Sequence, residues 1–253
     1  MLTTMTRDVW LEVQGVRTYA KVMGAGPRIV LVPGMGCSHL YFKPLQTALS
    51  RDFEVWAYDP AGQGLSRAPQ HQYRITREVS DHLAHWLRAA GLQGSVLFGH
   101  SQGGEVLVDF QARHPGLASR LVLCAPTGLP EYPNIPAQIL YLFVDSLRER
   151  PVLSLRVIRS YFMAGPGRVW ALLHDQLHHD TLPQLPQIRV PVLIVAGTRD
   201  PIVRPKMMST FREAIPHARL LEIKGGTHAV HDSHTAEVAQ AVREFVTEGK
   251  AEI

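Results

Sequence analysis

The chain sets short apolar runs against longer stretches of helical periodicity, and this rhythm predicts its elements. Val9–Val13 and Val16–Val22 flank the turn signal Gln14-Gly15, a spacing that predicts a β-hairpin. A different rhythm follows. Arg28–Val32, Glu54–Tyr58, Ser95–Phe98, Leu121–Cys124, Val192–Ala196 and Arg219–Ile223 are short runs without strict alternation. A strand that is apolar on both faces belongs inside a sheet covered on both sides. Helical periodicity fills most of the gaps, at about 39–50, 76–91, 102–114, 205–215 and 231–248. Strands separated by helices predict an α/β fold, a mostly parallel eight-stranded sheet flanked by helices.

One stretch departs from the rhythm. Residues 127–187 hold no strand-like run. They open with Pro130-Glu-Tyr-Pro-Asn-Ile-Pro136 and close with Leu182-Pro-Gln-Leu-Pro186. Helix-like pieces lie between, at Ala137–Arg150, Val152–Phe162 and Arg168–His179. The pattern predicts a core domain made of 1–126 and 188–253, with 127–187 as a helical lid inserted after the sixth strand. Ordinary helices of the flanking layers are the alternative.

Composition narrows the class. The 253 residues, 45% of them hydrophobic, suffice for one large core or for a core with an insertion. The formal charge of +4 is spread along the chain with no block of basic residues, which indicates a solvated surface and no nucleic-acid partner. No run approaches the length of a membrane span, and no apolar h-region suggests a signal peptide. Cys37 and Cys124 fall in different segments and suggest no disulfide framework. A cytoplasmic location is expected. There is no G-x-G-x-x-G, P-loop or C-x-x-C.

Chemistry is sought where parallel strands end, because ligands gather at those carboxyl edges. Gly99-His100-Ser101-Gln102-Gly103 is a G-x-S-x-G pattern lying between a strand-like and a helix-like run. Such a turn exposes a serine hydroxyl beside a base. Taken alone, the pattern arises by chance in roughly one chain in ten of this length. Two other strand ends change its weight. Asp200 follows the Val192–Ala196 run, and His228 follows Arg219–Ile223. Each has a bland reading, a turn former before Pro201 and a structural histidine in a glycine-rich loop. Together, in the order Ser, Asp, His, they supply a nucleophile, an orienting acid and a base.

Four motifs then give the chain a resemblance to the α/β-hydrolase fold superfamily, in particular its serine-nucleophile, esterase- and lipase-like members with a helical cap. Gly99-His-Ser-Gln-Gly-Gly104 resembles the nucleophile elbow, and Val32-Pro-Gly-Met-Gly36 the oxyanion loop. Tyr58-Asp-Pro-Ala-Gly-Gln-Gly-Leu-Ser66 is similar to the family's D-x-x-G-x-G-x-S stretch and reads as architectural. Gly197-Thr-Arg-Asp-Pro and Gly225-Gly-Thr-His resemble the acid and base loops. One departure is Pro33-Gly34, where many members have His-Gly. The resemblance implies Ser101, Asp200 and His228 as catalytic residues, with the backbone N–H groups of Met35 and Gln102 as the oxyanion hole. It implies hydrolysis of a carboxylic ester through an acyl-enzyme, with no cofactor. Serine at the elbow argues against the aspartate-based dehalogenase and epoxide hydrolase chemistries. The same triad also serves C–C bond hydrolases, lactonases, thioesterases and perhydrolases, and a ligand receptor that keeps the triad is a non-enzymatic alternative.

The remaining candidates read more blandly. His174, His178 and His179 form one cluster, and His228, His231 and His234 another. Zinc needs further ligands at defined geometry, so no metal is expected. His100 fills the elbow's variable position, and Cys37 and Cys124 read as buried or lining thiols. Asp145 and Asp175 are substitutes for Asp200 as the acid. The insertion is rich in large apolar residues, which predicts an apolar roof over Ser101; binding to an amphipathic surface is the alternative use. The expected pocket comprises Gly34, Cys37, Leu140, Phe143, Val144, Phe162 and Val203. It favours a small-to-medium, largely apolar ester as the small-molecule partner. Oligomeric state is left open.

Overall fold

A computed structural model describes residues 5–129 and 134–248. The two ends of the chain and residues 130–133, within the proline-rich opening of the insertion, lie outside the described residues. A single eight-stranded sheet runs through the molecule. Its strands are β1 (Thr6–Val13), β2 (Val16–Met23), β3 (Arg28–Val32), β4 (Glu54–Tyr58), β5 (Ser95–His100), β6 (Ala118–Cys124), β7 (Val192–Gly197) and β8 (Arg219–Ile223). Their spatial order is β1-β2-β4-β3-β5-β6-β7-β8. The β1–β2 hairpin and the β2–β4 pair are antiparallel, and every other pairing is parallel.

Helices cover both faces. They are α1 (Lys43–Leu49), α2 (Thr76–Ala89), α3 (Gln102–Arg113), α4 (Ile135–Ser146), α5 (Pro151–Ala164), α6 (Pro166–Gln176), α7 (Pro205–Ala214), α8 (Val230–Ser233) and α9 (Thr235–Thr247). Alternate residues of one strand feed opposite cores, as a pleated strand requires. Val30 and Val32 pack into one apolar cluster with Leu83, Leu107 and Phe110. Ile29 and Leu31 pack into the other with Leu45, Val242 and Phe245. The continuous apolar runs are therefore two interleaved core faces.

Two expected helices are divided. The 39–50 segment is a 3-10 turn, His39–Phe42, followed by α1, with a proline in the first turn of that helix. The 231–248 segment is broken at His234 into α8 and α9.

Helices α4, α5 and α6 lie in the chain between β6 and β7, and each carries proline in its first turn, where a missing N–H costs nothing. The Asn134 side chain caps α4 by accepting from Ala137 N–H at 3.0 Å. Polar anchors fasten these helices to the rest of the chain. Arg168 of α6 is buried and donates to the carbonyls of Gly62 (2.7 Å), Ala164 (3.1 Å) and Pro69 (2.6 Å). Just past α6, His179 sits 2.8 Å from a carboxylate oxygen of Glu105, a buried residue of α3. Burial opposes charge on that ring, but Asp109 and Glu105 outweigh it and push its pKa up to about 10. His179 thus ties the segment after α6 to α3.

Candidate active site

The carboxyl ends of β5, β7 and β8 converge. Ser101 joins β5 to α3 with φ 54° and ψ −123°, a left-handed conformation that a serine adopts only when its surroundings impose it. Close packing imposes it here. A Cβ on Gly99 would stand 2.4 Å from the Gly103 carbonyl oxygen, and a Cβ on Gly103 would stand 2.2 Å from that of Val32. The two glycines let the strand, the helix and the β3 loop meet around the serine.

Ser101 Oγ lies 2.9 Å from His228 Nε2, and His228 Nδ1 lies 2.9 Å from Asp200 Oδ2. Asp200 is an acceptor in its carboxylate form, so Nδ1 carries the proton and Nε2 is free to accept from the serine. The other Asp200 oxygen accepts from Ile202 N–H at 2.7 Å and Val203 N–H at 2.9 Å, which fixes the carboxylate's orientation. The structure therefore brings Ser101, Asp200 and His228 into one hydrogen-bonded line. Asp175 lies elsewhere, accepting from Thr76 N–H at 2.7 Å.

Beneath His228 sits a second histidine. His100 Nε2 is 2.9 Å from the His228 carbonyl oxygen and therefore donates to it. Its Nδ1 then accepts from the Tyr41 hydroxyl at 3.1 Å. Burial, with His231 and His228 nearby, holds the His100 pKa well below the usual imidazole value. This doubly bonded ring supports the His228 loop from below. His100, Cys124 and His231 place potential metal-ligating atoms within 4.8 Å of one another. Both His100 nitrogens are already engaged, and burial pushes the Cys124 thiol far up, so this trio reads as packing beneath the site.

The loop after β3 approaches from the other side. A Cβ on Gly34 would lie 3.3 Å from Ser101 Cβ, which places the Gly34–Met35 segment against the serine. Among the described residues, neither Met35 N–H nor Gln102 N–H donates to a backbone acceptor.

A cavity of about 530 Å³ opens over Ser101. Gly34, Met35 and Cys37 form part of its floor, and α4, α5 and α6 its roof. Of the expected pocket, Gly34, Cys37 and Phe143 line it; Leu140, Val144, Phe162 and Val203 do not. The correction has a physical cause. Residues 138, 142, 145 and 149 share one face of the α4 segment, and that face looks into the cavity. Leu140 and Val144 point the opposite way, and Phe162 is 81% exposed on the outside of α5. Val203 is buried in the core below, where its N–H serves Asp200.

The roof's inner face keeps the expected apolar lining, with Leu142, Leu153, Val157 and Leu173, and adds a polar stripe that was not expected. Asp145 Oδ1 accepts weakly from His228 N–H at 3.4 Å, and Glu149 Oε1 from Ala229 N–H at 2.9 Å. Burial, with repulsion from Glu149 and Asp200, pushes the Asp145 pKa up to about 7. Burial also raises Glu149. Burial disfavours charge on His228, yet Asp200, backed by Asp145 and Glu149, outweighs it and pushes that pKa up to about 9. Gln138 joins the roof through Gln176, which donates to Thr127 Oγ1 at 2.7 Å. Composition alone pointed to the roof's leucines and phenylalanines. The signal that finds Gln138, Asp145 and Glu149 is their helical spacing, one polar stripe in an otherwise apolar segment.

Comparison with known proteins fits this architecture. The sequence model described as Alpha/beta hydrolase family matches residues 29–241. The chain belongs to the alpha/beta hydrolase family, and its class is that of a hydrolytic enzyme. It is 30% identical, over 96% of its length, to a segment of the polyketide synthase ThaQ of Burkholderia thailandensis, and spans 13% of that much longer protein. It is 28% identical to the putative carbamate hydrolase RutD of Azorhizobium caulinodans, over 83% of this chain and 88% of that one. The solved enol-lactonase of Burkholderia xenovorans LB400 superposes with a TM-score of 0.82 at 23% identity, covering 95% of this chain and all of the other (100%).

Proposed function

We propose that the chain is a serine hydrolase that cleaves a carboxylic ester of small-to-medium, largely apolar substrates through an acyl-enzyme. The observation that carries this reading is the 2.9 Å plus 2.9 Å line from Ser101 Oγ through His228 to Asp200. His228 Nε2 takes the Ser101 proton as Oγ forms its bond to the ester carbonyl carbon. The Met35 and Gln102 N–H groups stabilise the oxyanion; one such donor contributes about 2.7–4 kcal/mol to the transition state. The tetrahedral intermediate collapses, the C–O bond breaks, and His228 gives its proton to the leaving alcohol. Water, deprotonated by His228, then attacks the acyl-enzyme, and Ser101 recovers its proton. Asp200 keeps Nδ1 protonated and stabilises the imidazolium. Residues 127–187 act as the cap that covers this chemistry.

The cavity lining supports the substrate class, since Leu142, Phe143, Leu153, Val157 and Leu173 face it together. The same triad suits a lactone, a thioester or a C–C bond, and the likeness to a putative carbamate hydrolase adds a carbamate to the panel. Stopped-flow hydrolysis of p-nitrophenyl esters of graded acyl length tests the reading. A burst of nitrophenol followed by steady turnover is expected. Absence of turnover across the series, with the fold intact, would overturn it in favour of a receptor.

A further inference from the structure

Helices α4 and α5 are apolar on both faces. Their inner faces line the cavity with Leu142, Leu153 and Val157, and their outer faces are apolar as well. On α4 and its C-cap the outer face includes Leu140 and Leu147, the latter 71% exposed. On α5 it is the stripe Val152, Leu155, Phe162, with Leu155 at 67% exposure. Monomeric proteins seldom expose contiguous apolar surface of this kind without using it.

We propose that the outer face of α4 and α5 docks on an anionic lipid surface, so that the mouth of the Ser101 cavity opens against the bilayer. Three features select this occupant. The first is continuity with the site. Phe143 of α4 and Ile158 of α5 are both exposed and both line the cavity, so the apolar face runs unbroken into its mouth. An apolar substrate entering from a lipid phase meets Phe143 and Ile158 first.

The second is charge. Between residues 134 and 164 the acidic side chains are Asp145 and Glu149, and both are turned toward the cavity and the His228 loop. The basic ones are Arg148, Arg150, Arg156 and Arg159. Arg150 remains largely exposed although it lies 3.6 Å from Asp232, and Arg159 is exposed with no ion pair among the described residues. Apolar side chains beside arginine, with no outward acid, match an anionic membrane interface. A second copy fits less well, because a two-fold contact through this face sets the arginines against their own copies.

The third is the lack of hydrogen-bonding groups. A protein–protein interface of standard size carries about ten direct hydrogen bonds. From 139 to 162 the exposed positions offer little beyond the arginines and Ser146, and the Ser146 hydroxyl already donates to the Phe143 carbonyl at 2.7 Å. A bilayer interior asks for none.

Co-sedimentation of the full chain with phosphatidylcholine vesicles, with and without phosphatidylglycerol, tests the proposal. Binding to the phosphatidylglycerol vesicles is expected, weakening as salt is raised. The double variant Leu155→Asp, Phe162→Asp should lower that binding by more than about tenfold, because each apolar side chain kept out of the lipid forfeits a large transfer term. Turnover of a water-soluble ester by the same variant should be unchanged, since neither residue lines the cavity. If that variant fails to fold, Arg159→Glu serves instead and should weaken vesicle binding alone. Equal binding to neutral and anionic vesicles overturns the proposal. So does no binding to either, or a dimer in light scattering that dissociates in the double variant while vesicle binding is absent.

Discussion

The strand-edge loops and helices α4–α6 face each other across one cavity, yet they are fixed with different precision. Ser101, Asp200 and His228 sit on loops locked by backbone contacts: a strained φ of 54° at the serine, two N–H groups on Asp200, and His100 under the His228 carbonyl. Helices α4, α5 and α6 are held by apolar packing through Leu153, Leu172 and Leu173 and by a few polar anchors, and they show a further apolar face outward. The difference teaches where precision is needed. Chemistry requires atoms held to a fraction of an ångström on rigid elements. A roof requires only a cavity of the right size and a way in.

Breaking the rigid side should have the largest effect. Asp200→Asn is expected to lower kcat by about 10⁴-fold with the fold retained, because the amide can stabilise the wrong His228 tautomer. Steady-state kinetics with a melting curve measures both; near-normal kcat would shift the acid's role to Asp145, which contacts the same histidine.

Breaking an anchor of the roof should cost stability before chemistry. Arg168→Leu leaves the carbonyls of Gly62 and Pro69 without their donor, and a loss of about 3 kcal/mol in unfolding free energy is expected. Urea denaturation reads this. The residual kcat of folded enzyme should exceed that of Asp200→Asn by orders of magnitude.

The two regions meet electrostatically at His228, and pH sharpens the comparison. A base must be neutral to accept a proton, so the acid limb of kcat/KM should lie above the ordinary value of 6.5, toward about 9. Asp145→Asn removes one roof carboxylate and should move the limb to lower pH. The same raised pKa contributes stability that is complete below about 6.5 and is lost as pH rises through about 9. An acid limb that does not move in Asp145→Asn would separate the roof from the triad.

The smallest effect concerns helical phase. Leu140→Ser, on the outer face of α4, should change kcat/KM by less than about twofold, as surface substitutions generally do. Gln138→Leu, on the inner face, should alter KM and the preference among acyl groups.

The same contrast explains what the sequence makes legible. The sheet is readable because most parallel strands are short apolar runs set between helical periods, and the strand ends mark the loops where Ser101, Asp200 and His228 meet. The order β2-β4-β3 and the break at His234 are not readable, since they depend on long-range pairing and one local distortion. The pocket is half readable. Hydrophobicity assigns Leu140, Val144 and Phe162 inward on the rule that apolar residues are covered, but these helices are apolar on both faces, with Leu142, Leu153 and Val157 inward. Gln138, Asp145 and Glu149 hold the inner face because they bond to Gln176, His228 and Ala229, contacts that exist only after the chain has folded.

Covalent labelling tests the central claim most directly. The wild-type chain, treated with a fluorophosphonate probe and mapped by tandem mass spectrometry, should carry one adduct on Ser101 Oγ, and Ser101→Ala should carry none. An adduct on another residue, or labelling that persists in a folded Ser101→Ala chain, would contradict the account.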